Sequence, residues 1–454
     1  MHIHILGIAG TFMASLALLA KEIGFKVTGQ DQNIYPPMST QLAASQISFT
    51  EKYDVIDLPE QADLIVIGNV MRRGMPIIEH ILDNNLPFMS GPEFLAKFIL
   101  PEKHVLVVSG THGKTTTTSM LAWILHYAGL NPGYLIGGVA KNFTSSATIG
   151  NGKFFVIEGD EYDCAFFDKR SKFIHYRPKT LIINNIEFDH ADIFPNLNAI
   201  ILQFHHLMRL VPSSGLVVFN QHDKNIKELL QMGCWSRLEG FSVKHHSNTN
   251  LENNKISDNL SDRLSDKLKL PGEHNLSNAI AACIAAINVG VTEDIAVNAI
   301  TNFMGVVRRL EHKGCYRGIN IYDDFAHHPT AIQATIKALS TVIQANKNNN
   351  KKFPIIAVVD LGSNTLKMGV NNKDLINAVK HVDQLYLYAD LNKIKWDVQD
   401  VFKEINKPGK ICSDLQDLIN SLKKTLQSDD NVLFMSNGSL ATACDKLIDA
   451  LQNQ

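Results

Sequence analysis

The sequence predicts an α/β protein whose sheets are mostly parallel and doubly wound. Short apolar runs that end in polar residues alternate with helical-period segments along the whole chain. Glycine turns join strand to helix at two points, the usual placement of ligand-binding loops at the carboxyl ends of parallel strands. The 454 residues suffice for three domains at roughly 150 residues each. With 45% hydrophobic and 19% charged residues, the chain can fill several cores and is neither disordered nor collagen-like. A formal net charge of -2 provides no global basic field, so no nucleic-acid partner is expected. The 6 cysteines include no C-x-x-C pair, which argues against a zinc site or disulfide framework and fits a reducing cytoplasm. Gly7 and Gly10 interrupt the uncharged run from Ile5 to Ala20, and no Lys or Arg precedes it, so it reads as strand, turn and helix rather than a leader. No membrane insertion is expected, and no protein partner is inferable.

Taken in order, residues 2–8 form the first strand, 9–12 a turn, 13–24 a helix and 25–31 a second strand ending in Asp31. Strands at 63–69, ending in Asn69, and at 85–91 continue the alternation. Pro101 and Glu102 make a linker before a new strand at 104–110. Strands at 154–163, 180–190 and 215–220 follow, with a long helix over 198–210. The Asn-, Ser- and Asp-rich stretch 245–267 reads as a solvated excursion, and 271–290 as a loop entering an Ala-rich buried helix. A third segment begins near Val306, with strands at 319–325, 353–361, 384–390 and 431–437 and a surface loop at the Lys/Asn run 347–352. The expected domains are 1–102, 103–305 and 306–454.

The strongest chemical signal is Gly110-Thr111-His112-Gly113-Lys114-Thr115-Thr116, between an apolar strand and an apolar helix. Nucleotide phosphates need backbone N–H groups at a helix N-terminus, a point charge and a hydroxyl for Mg²⁺. Lys114 and Thr115 supply the last two. Val108 stands where the common phosphate loop has its first Gly, so the loop is a variant tightened around Gly110. Two acidic strand ends, with Glu158, Asp160, Glu161 and Asp163 on one and Glu187, Asp189 and His190 on the other, should flank this loop and offer hard oxygen ligands. Taken singly, each is also readable as a solvated carboxylate. His274, Asn275 and Asn278 precede the Ala-rich helix, where they are either caps or amide and ring groups for a base. Arg308 and Arg309 pair with phosphate or with Glu311. Asp323-Asp324-Phe325-Ala326-His327-His328-Pro329 is a dense strand-to-helix cluster, with Pro329 suited to a first helical turn. Gly7, Gly10, Thr11 and Phe12 form only a weak dinucleotide fingerprint, because Ala9 and Phe12 replace two of its glycines. A helix N-terminus there still suits a diphosphate.

In order and spacing, GTHGKTTTT, EGDEYDCAFFD, NNIEFDH, GEHNLSN, RRLE and YDDFAHHPT resemble the Mur ligases of peptidoglycan synthesis over essentially the whole chain. The resemblance implies a three-domain architecture: an N-terminal Rossmann-like domain for UDP-N-acetylmuramate, a central P-loop ATPase-like domain, and a C-terminal Rossmann-like domain that closes over ATP and binds the incoming peptide. QDQNIYPPMST, FMSGPEFLAKF, DEYDCAFFDKRSKF, FDHADIF and SNTLKMG are similar to one branch of the family. That branch joins recovered L-Ala-γ-D-Glu-meso-diaminopimelate, the murein tripeptide, to UDP-N-acetylmuramate, whereas another adds L-alanine.

The resemblance further implies ATP and two Mg²⁺ ions, a cytoplasmic location, and roles residue by residue. Gly7, Gly10, Thr11 and Phe12 belong to the substrate diphosphate loop, with Asp31 and Asn69 beside it. Gly110 to Thr116 hold ATP, Lys114 at its β/γ-phosphates and Thr115 at a first Mg²⁺. Glu161 and His190 hold a second ion. His274, Asn275 and Asn278 form the adenine site, Arg309 and Asp323 contact ATP, and His327 lies near the amine. There are departures. The family's E-P-R-S-N-T segment reads Asp360-Leu361-Gly362-Ser363-Asn364-Thr365, without the Arg, and the Gly-rich run after MSNG reads Ser439-Leu440-Ala441. Residues 180–223 contain no lysine of the kind that several members carbamylate. An L-alanine ligase and a non-catalytic nucleotide-binding protein remain alternatives. A nicotinamide oxidoreductase does not fit a separate GTHGKT loop.

Overall fold

The computed structural model describes all residues except Asn33, Tyr35, Pro37, 244–254, 346–352, Ser439, Ala441 and Gln454. The Lys/Asn run and two residues of the Ser439–Ala441 segment therefore lie outside the described residues. The rest forms three sheets of the predicted α/β class. The first holds β1 (His2–Leu6), β2 (Lys26–Gln30), β3 (Ser48–Thr50), β4 (Leu64–Ile67) and β5 (Phe88–Ser90), in the order β3-β2-β1-β4-β5 with every pair parallel.

The second sheet contains β6 (His104–Ser109), β7 (Gly133–Leu135), β8 (Ala147–Thr148) and β9 (Phe154–Gly159). A separate hairpin, β10 (Asp163–Ala165) and β11 (Asp168–Ser171), follows β9. The chain then returns to the sheet with β12 (Thr180–Ile183), β13 (Leu216–Asn220) and β14 (Arg237–Phe241). The order is β14-β13-β12-β6-β9-β7-β8, with only β8 antiparallel to its neighbour. β6 thus lies between β9 and β12, so the strands that lead to the two acidic segments flank the strand that leads to the phosphate loop. The third sheet comprises β15 (Glu311–Tyr316), β16 (Ile319–Asp324), β17 (Ile355–Asp360), β18 (Gln384–Tyr388), β19 (Gly409–Cys412) and β20 (Asn431–Met435). Its order is β15-β16-β20-β17-β18-β19, parallel except for the β15–β16 hairpin. Central strands such as β4 and β17 are buried along their whole length, the pattern of a parallel sheet covered on both faces.

Two expectations are corrected. Residues 255–264, read as part of a solvated excursion, form a helix that buries Ser257, Leu260, Ser261 and Leu264. Its polar face dominates the composition and hides a four-residue apolar and hydroxyl stripe. The Ala-rich helix spans Glu273–Asn288, so His274 and Asn275 stand in its first turn and not in a preceding loop. Among the described residues no helix is long and apolar enough to cross a membrane.

The chain divides into two compact units. One holds Met1–Glu187, Leu197–Lys269 and Leu276–Val306, with the first two sheets; the other holds Phe188–Asn196, Leu270–Asn275 and Val307–Gln454, with the third.

Candidate active site

The phosphate loop leaves buried β6 through a turn that only glycine fits. Gly110 has φ +132, and a Cβ there would lie 3.0 Å from the Asn185 carbonyl; Gly113 has φ +80, and its Cβ would lie 2.6 Å from Asn278 Oδ1. The helix Lys114–Tyr127 then starts with no side-chain cap and no acid in its first turn, which leaves its N-terminus open to an anion. Asn185 shapes the loop, accepting from His112 N–H at 2.7 Å, and the Thr111 hydroxyl accepts from Glu187 N–H at 2.8 Å. His112 Nε2 lies 3.3 Å from Glu187 Oε2. Asn184 donates to Thr117 Oγ1 at 3.0 Å and to Asn278 Oδ1 at 3.4 Å, which brings the predicted Asn278 against the loop.

Lys114 Nζ donates to Gly110 O at 2.7 Å, Thr111 O at 3.3 Å and Glu161 Oε2 at 3.0 Å. Burial alone would lower its pKa, but the Glu161, Asp160 and Glu158 carboxylates outweigh that and hold it above the usual lysine range. The ammonium is therefore charged at any physiological pH. Thr115 Oγ1 donates to Glu158 Oε1 at 3.1 Å, and Gly137 N–H donates to Glu158 Oε2 at 2.9 Å. The donor set of Thr115, Glu158 and fully buried Glu161 consists of hydroxyl and carboxylate oxygens, the hard ligands that Mg²⁺ takes.

The N-terminal loop has a different construction. Gly7, at φ +80, turns the chain, and Gly7 N–H donates to Gln30 O at 2.8 Å. Asp31 is buried, and its carboxylate accepts from Ala9 N–H at 2.8 Å, Gln32 N–H at 2.7 Å and Tyr53 O–H at 2.9 Å. It builds the loop from within. Gly10 is the N-cap of the helix Thr11–Glu22, again with no side-chain cap and no first-turn acid. Phe12 packs over Gly91, where a Cβ would come within 2.7 Å of its ring. Asn69 Nδ2 donates to Asp163 O at 3.0 Å and to Asp163 Oδ1, tying the end of β4 to the β10–β11 hairpin.

The second unit carries the remaining predicted residues. His190 adopts φ +55, and its N–H donates to Asp189 Oδ1 at 2.7 Å. Thr365 Oγ1 donates to the same oxygen at 2.5 Å. Burial would raise the Asp189 carboxyl, but His190, the Thr365 hydroxyl, His327 and His328 together hold it below the usual carboxylate range. His327 Nδ1 donates to Phe325 O at 2.9 Å, and buried His328 lies 3.3 Å from Phe188 O through Nε2. Pro329 opens the helix Pro329–Ala345. Arg308 pairs with Asp323 at 3.2 Å, while Arg309 stacks over Phe325 at 5.0 Å. Burial pushes the Asp323 carboxyl up to about 6, against the pull of Arg308. His274 is exposed, and Asn275 Nδ2 donates to Pro271 O at 2.7 Å. Where the family carries Arg, Gly362 N–H donates to Asp360 Oδ1 at 2.9 Å, and a Cβ there would lie 2.8 Å from that oxygen. Lys114, Thr115, Glu161 and Asn278 thus meet in one unit, and His190, His327, Arg309, Asp323, His274 and Asn275 belong to the other.

Sequence reasoning missed the structural roles of Asp31 and Thr365, which are set by long-range hydrogen bonds with no local signature. It also missed Lys172, whose Nζ donates to Asp160 Oδ2 at 2.6 Å. In the sequence it stands only within DEYDCAFFDKRSKF, a segment whose resemblance to one branch of the family assigns no role to any single charge.

Three family models match: "Mur ligase family, catalytic domain" at residues 2–103, "Mur ligase middle domain" at 108–286 and "Mur ligase, glutamate ligase domain" at 308–438. The chain is 46% identical over 456 residues to the UDP-N-acetylmuramate–L-alanyl-γ-D-glutamyl-meso-2,6-diaminoheptandioate ligase of Escherichia coli (strain K12), covering 99% of this chain and 98% of that one. It is 29% identical to the UDP-N-acetylmuramate–L-alanine ligase of Clostridium acetobutylicum, over 96% of this chain and 95% of that one. The crystal structure of a murein peptide ligase from Psychrobacter arcticus 273-4 superposes with a TM-score of 0.76 at 38% identity, covering 100% of this chain and 99% of the other.

Proposed function

The chain belongs to the Mur ligase family, and on that premise we propose that it joins L-Ala-γ-D-Glu-meso-diaminopimelate to UDP-N-acetylmuramate at the expense of ATP, in the cytoplasm, as a step of peptidoglycan recycling. The observation that carries this reading is the 46% identity, over nearly the full length of both chains, to a ligase of that name, against 29% to an L-alanine ligase. Residues 1–102 bind the sugar nucleotide, 103–305 bind ATP, and 306–454 bind the peptide.

A carboxylate is a poor acylating group. The lactyl carboxylate therefore takes the γ-phosphoryl group of ATP first, giving an acyl phosphate and ADP. The free α-amine of the tripeptide then attacks the acyl carbon, and after a tetrahedral intermediate phosphate leaves and the nitrogen loses its proton. Gly7, Gly10, Thr11 and Phe12 hold the UDP diphosphate at a helix N-terminus, with Asp31 and Asn69 fixing the loop around it. The N–H groups of Gly110 to Thr116 cradle the ATP phosphates, and Lys114 moves from Gly110 O to the β/γ-oxygens, where its charge offsets the anions that must meet. His274, Asn275 and Asn278 face adenine, Arg309 and Asp323 contact ATP, and His327 orients the amine. Two Mg²⁺ ions, with Thr115, Glu161 and His190 as ligands, supply further charge neutralisation when bound.

The reading is tested by phosphate release from ATP in the presence of UDP-N-acetylmuramate and Mg²⁺, with the tripeptide or L-alanine offered in parallel. Strong preference for the tripeptide is expected. Preference for L-alanine would move the chain to the biosynthetic branch, and release with neither would leave a nucleotide-binding protein. The metal assignment is tested apart from turnover: His190→Ala should weaken Mn²⁺ binding seen by electron paramagnetic resonance, and unchanged binding would remove His190 from the ligand set.

A further inference from the structure

Two lysines are tied to two adjacent acids in the first unit. Lys114 holds Glu161, and Lys172 holds Asp160 at 2.6 Å. Lys172 follows directly on the β10–β11 hairpin, and its N–H donates to Tyr162 O at 3.0 Å. Its side chain is only 14% exposed. The ammonium lies 5.7 Å from the centre of the Phe12 ring and 5.6 Å from that of Tyr162. Phe12 sits in the first turn of the helix that follows the N-terminal glycine loop, so Lys172 touches both that loop and the acidic strand end beside the phosphate loop.

The first chemical step brings two anions together, a carboxylate and the γ-phosphoryl group. Lys114 is a cation on the ATP side. The N-terminal loop contributes none of its own, since Gly7 to Phe12 contain no Lys or Arg. A partly desolvated cation beside Phe12, held there by an aromatic pair and one carboxylate, is what a carboxylate substrate needs at that point.

We infer that Lys172 is the acceptor-side cation of the site, binding and orienting the lactyl carboxylate of the sugar nucleotide for attack on ATP. Asp160 holds the ammonium until the substrate carboxylate arrives and then shares it. This rests on the sugar-nucleotide reading given above. The UDP diphosphate is the other anion within the chemistry of a lysine here, and the test separates the two.

Binding of UDP-N-acetylmuramate and of UDP-N-acetylglucosamine, which lacks the lactyl carboxylate, is measured by calorimetry on the full-length protein and on Lys172→Met and Lys172→Arg. Lys172→Met should weaken UDP-N-acetylmuramate binding roughly 10- to 100-fold, the range for a lost charge-assisted hydrogen bond. UDP-N-acetylglucosamine and ATP binding should stay within about 2-fold, and Lys172→Arg should recover most of the loss. In turnover, kcat/KM for UDP-N-acetylmuramate should fall while the KM for ATP holds. Equal weakening of both sugar nucleotides would assign Lys172 to the diphosphate and overturn the inference. So would unchanged binding, or a loss shared by ATP and reproduced in full by Asp160→Asn, which would make the pair structural. A wild-type protein that binds neither sugar nucleotide would overturn the underlying reading as well. One that binds UDP-N-acetylmuramate regardless of residue 172 would overturn only this inference.

Discussion

The molecule builds the same local structure twice, to different ends. In both the N-terminal loop and the phosphate loop, a buried parallel strand passes through a glycine at φ +80 into a helix without a side-chain cap or first-turn acid. The N-terminal loop is fastened from within by Asp31, an acid that accepts from Ala9 N–H and Tyr53 O–H. The phosphate loop carries Lys114 and Thr115, and acids from β9 and the segment after it fasten those side chains from outside. The first arrangement suits a diphosphate that only has to be held. The second suits a phosphoryl group whose charge redistributes, because a cation and a hydroxyl are held at the loop itself.

Substitutions should therefore separate the loops, and the largest effect belongs to Lys114. Lys114→Ala should cut phosphate release by at least about 10³-fold, at the upper end for removing one electrostatic contact. Calorimetric UDP-N-acetylmuramate affinity should be unchanged; comparable loss of both would mean that the loops are not independent. Next come the paired glycines. Gly113→Ala and Gly7→Ala each force a side chain into the left-handed region, at a cost of about 1–2 kcal/mol. The new methyl would also meet Asn278 at 2.6 Å in the first case and Val70 at 3.0 Å in the second. Gly113→Ala should raise KM for ATP alone and Gly7→Ala KM for the sugar nucleotide alone. Crossed effects would break the comparison.

Asp31→Asn should raise the sugar-nucleotide KM by several-fold and lower the melting temperature, because one of its two acceptor oxygens becomes a donor facing N–H or O–H groups. An unchanged melting temperature would show that Asp31 does not build the loop. The smallest effect is expected of Tyr53→Phe, which removes one of the hydrogen bonds to Asp31, at about 1 kcal/mol in denaturant unfolding.

The same contrast shows what the sequence makes legible. Gly110, Gly113, Lys114 and Thr115 stand out in the sequence because the groups that the proposed phosphate site needs are contiguous. The flanking of β6 by β9 and β12 followed from strand–helix alternation and two acidic strand ends. Asp31 was readable as a strand end but not as a brace, since Tyr53 reaches it across 22 residues. Lys172 was hidden for a related reason: the hairpin that aims it was unpredicted, and its neighbours Lys169 and Arg170 are exposed, paired with Asp163 and Asp168. The helix Lys255–Leu264 escaped because its buried stripe mixes Leu with Ser.

In the proposed reaction, formation of the acyl phosphate is the step for which the two loops must cooperate, and isotope transfer tests it most directly. UDP-N-acetylmuramate labelled with ¹⁸O in its lactyl carboxylate is turned over with ATP and the tripeptide, and the released phosphate is analysed by mass spectrometry. The account predicts one ¹⁸O in phosphate for each amide bond formed from fully labelled substrate. Amide formation with unlabelled phosphate would contradict it.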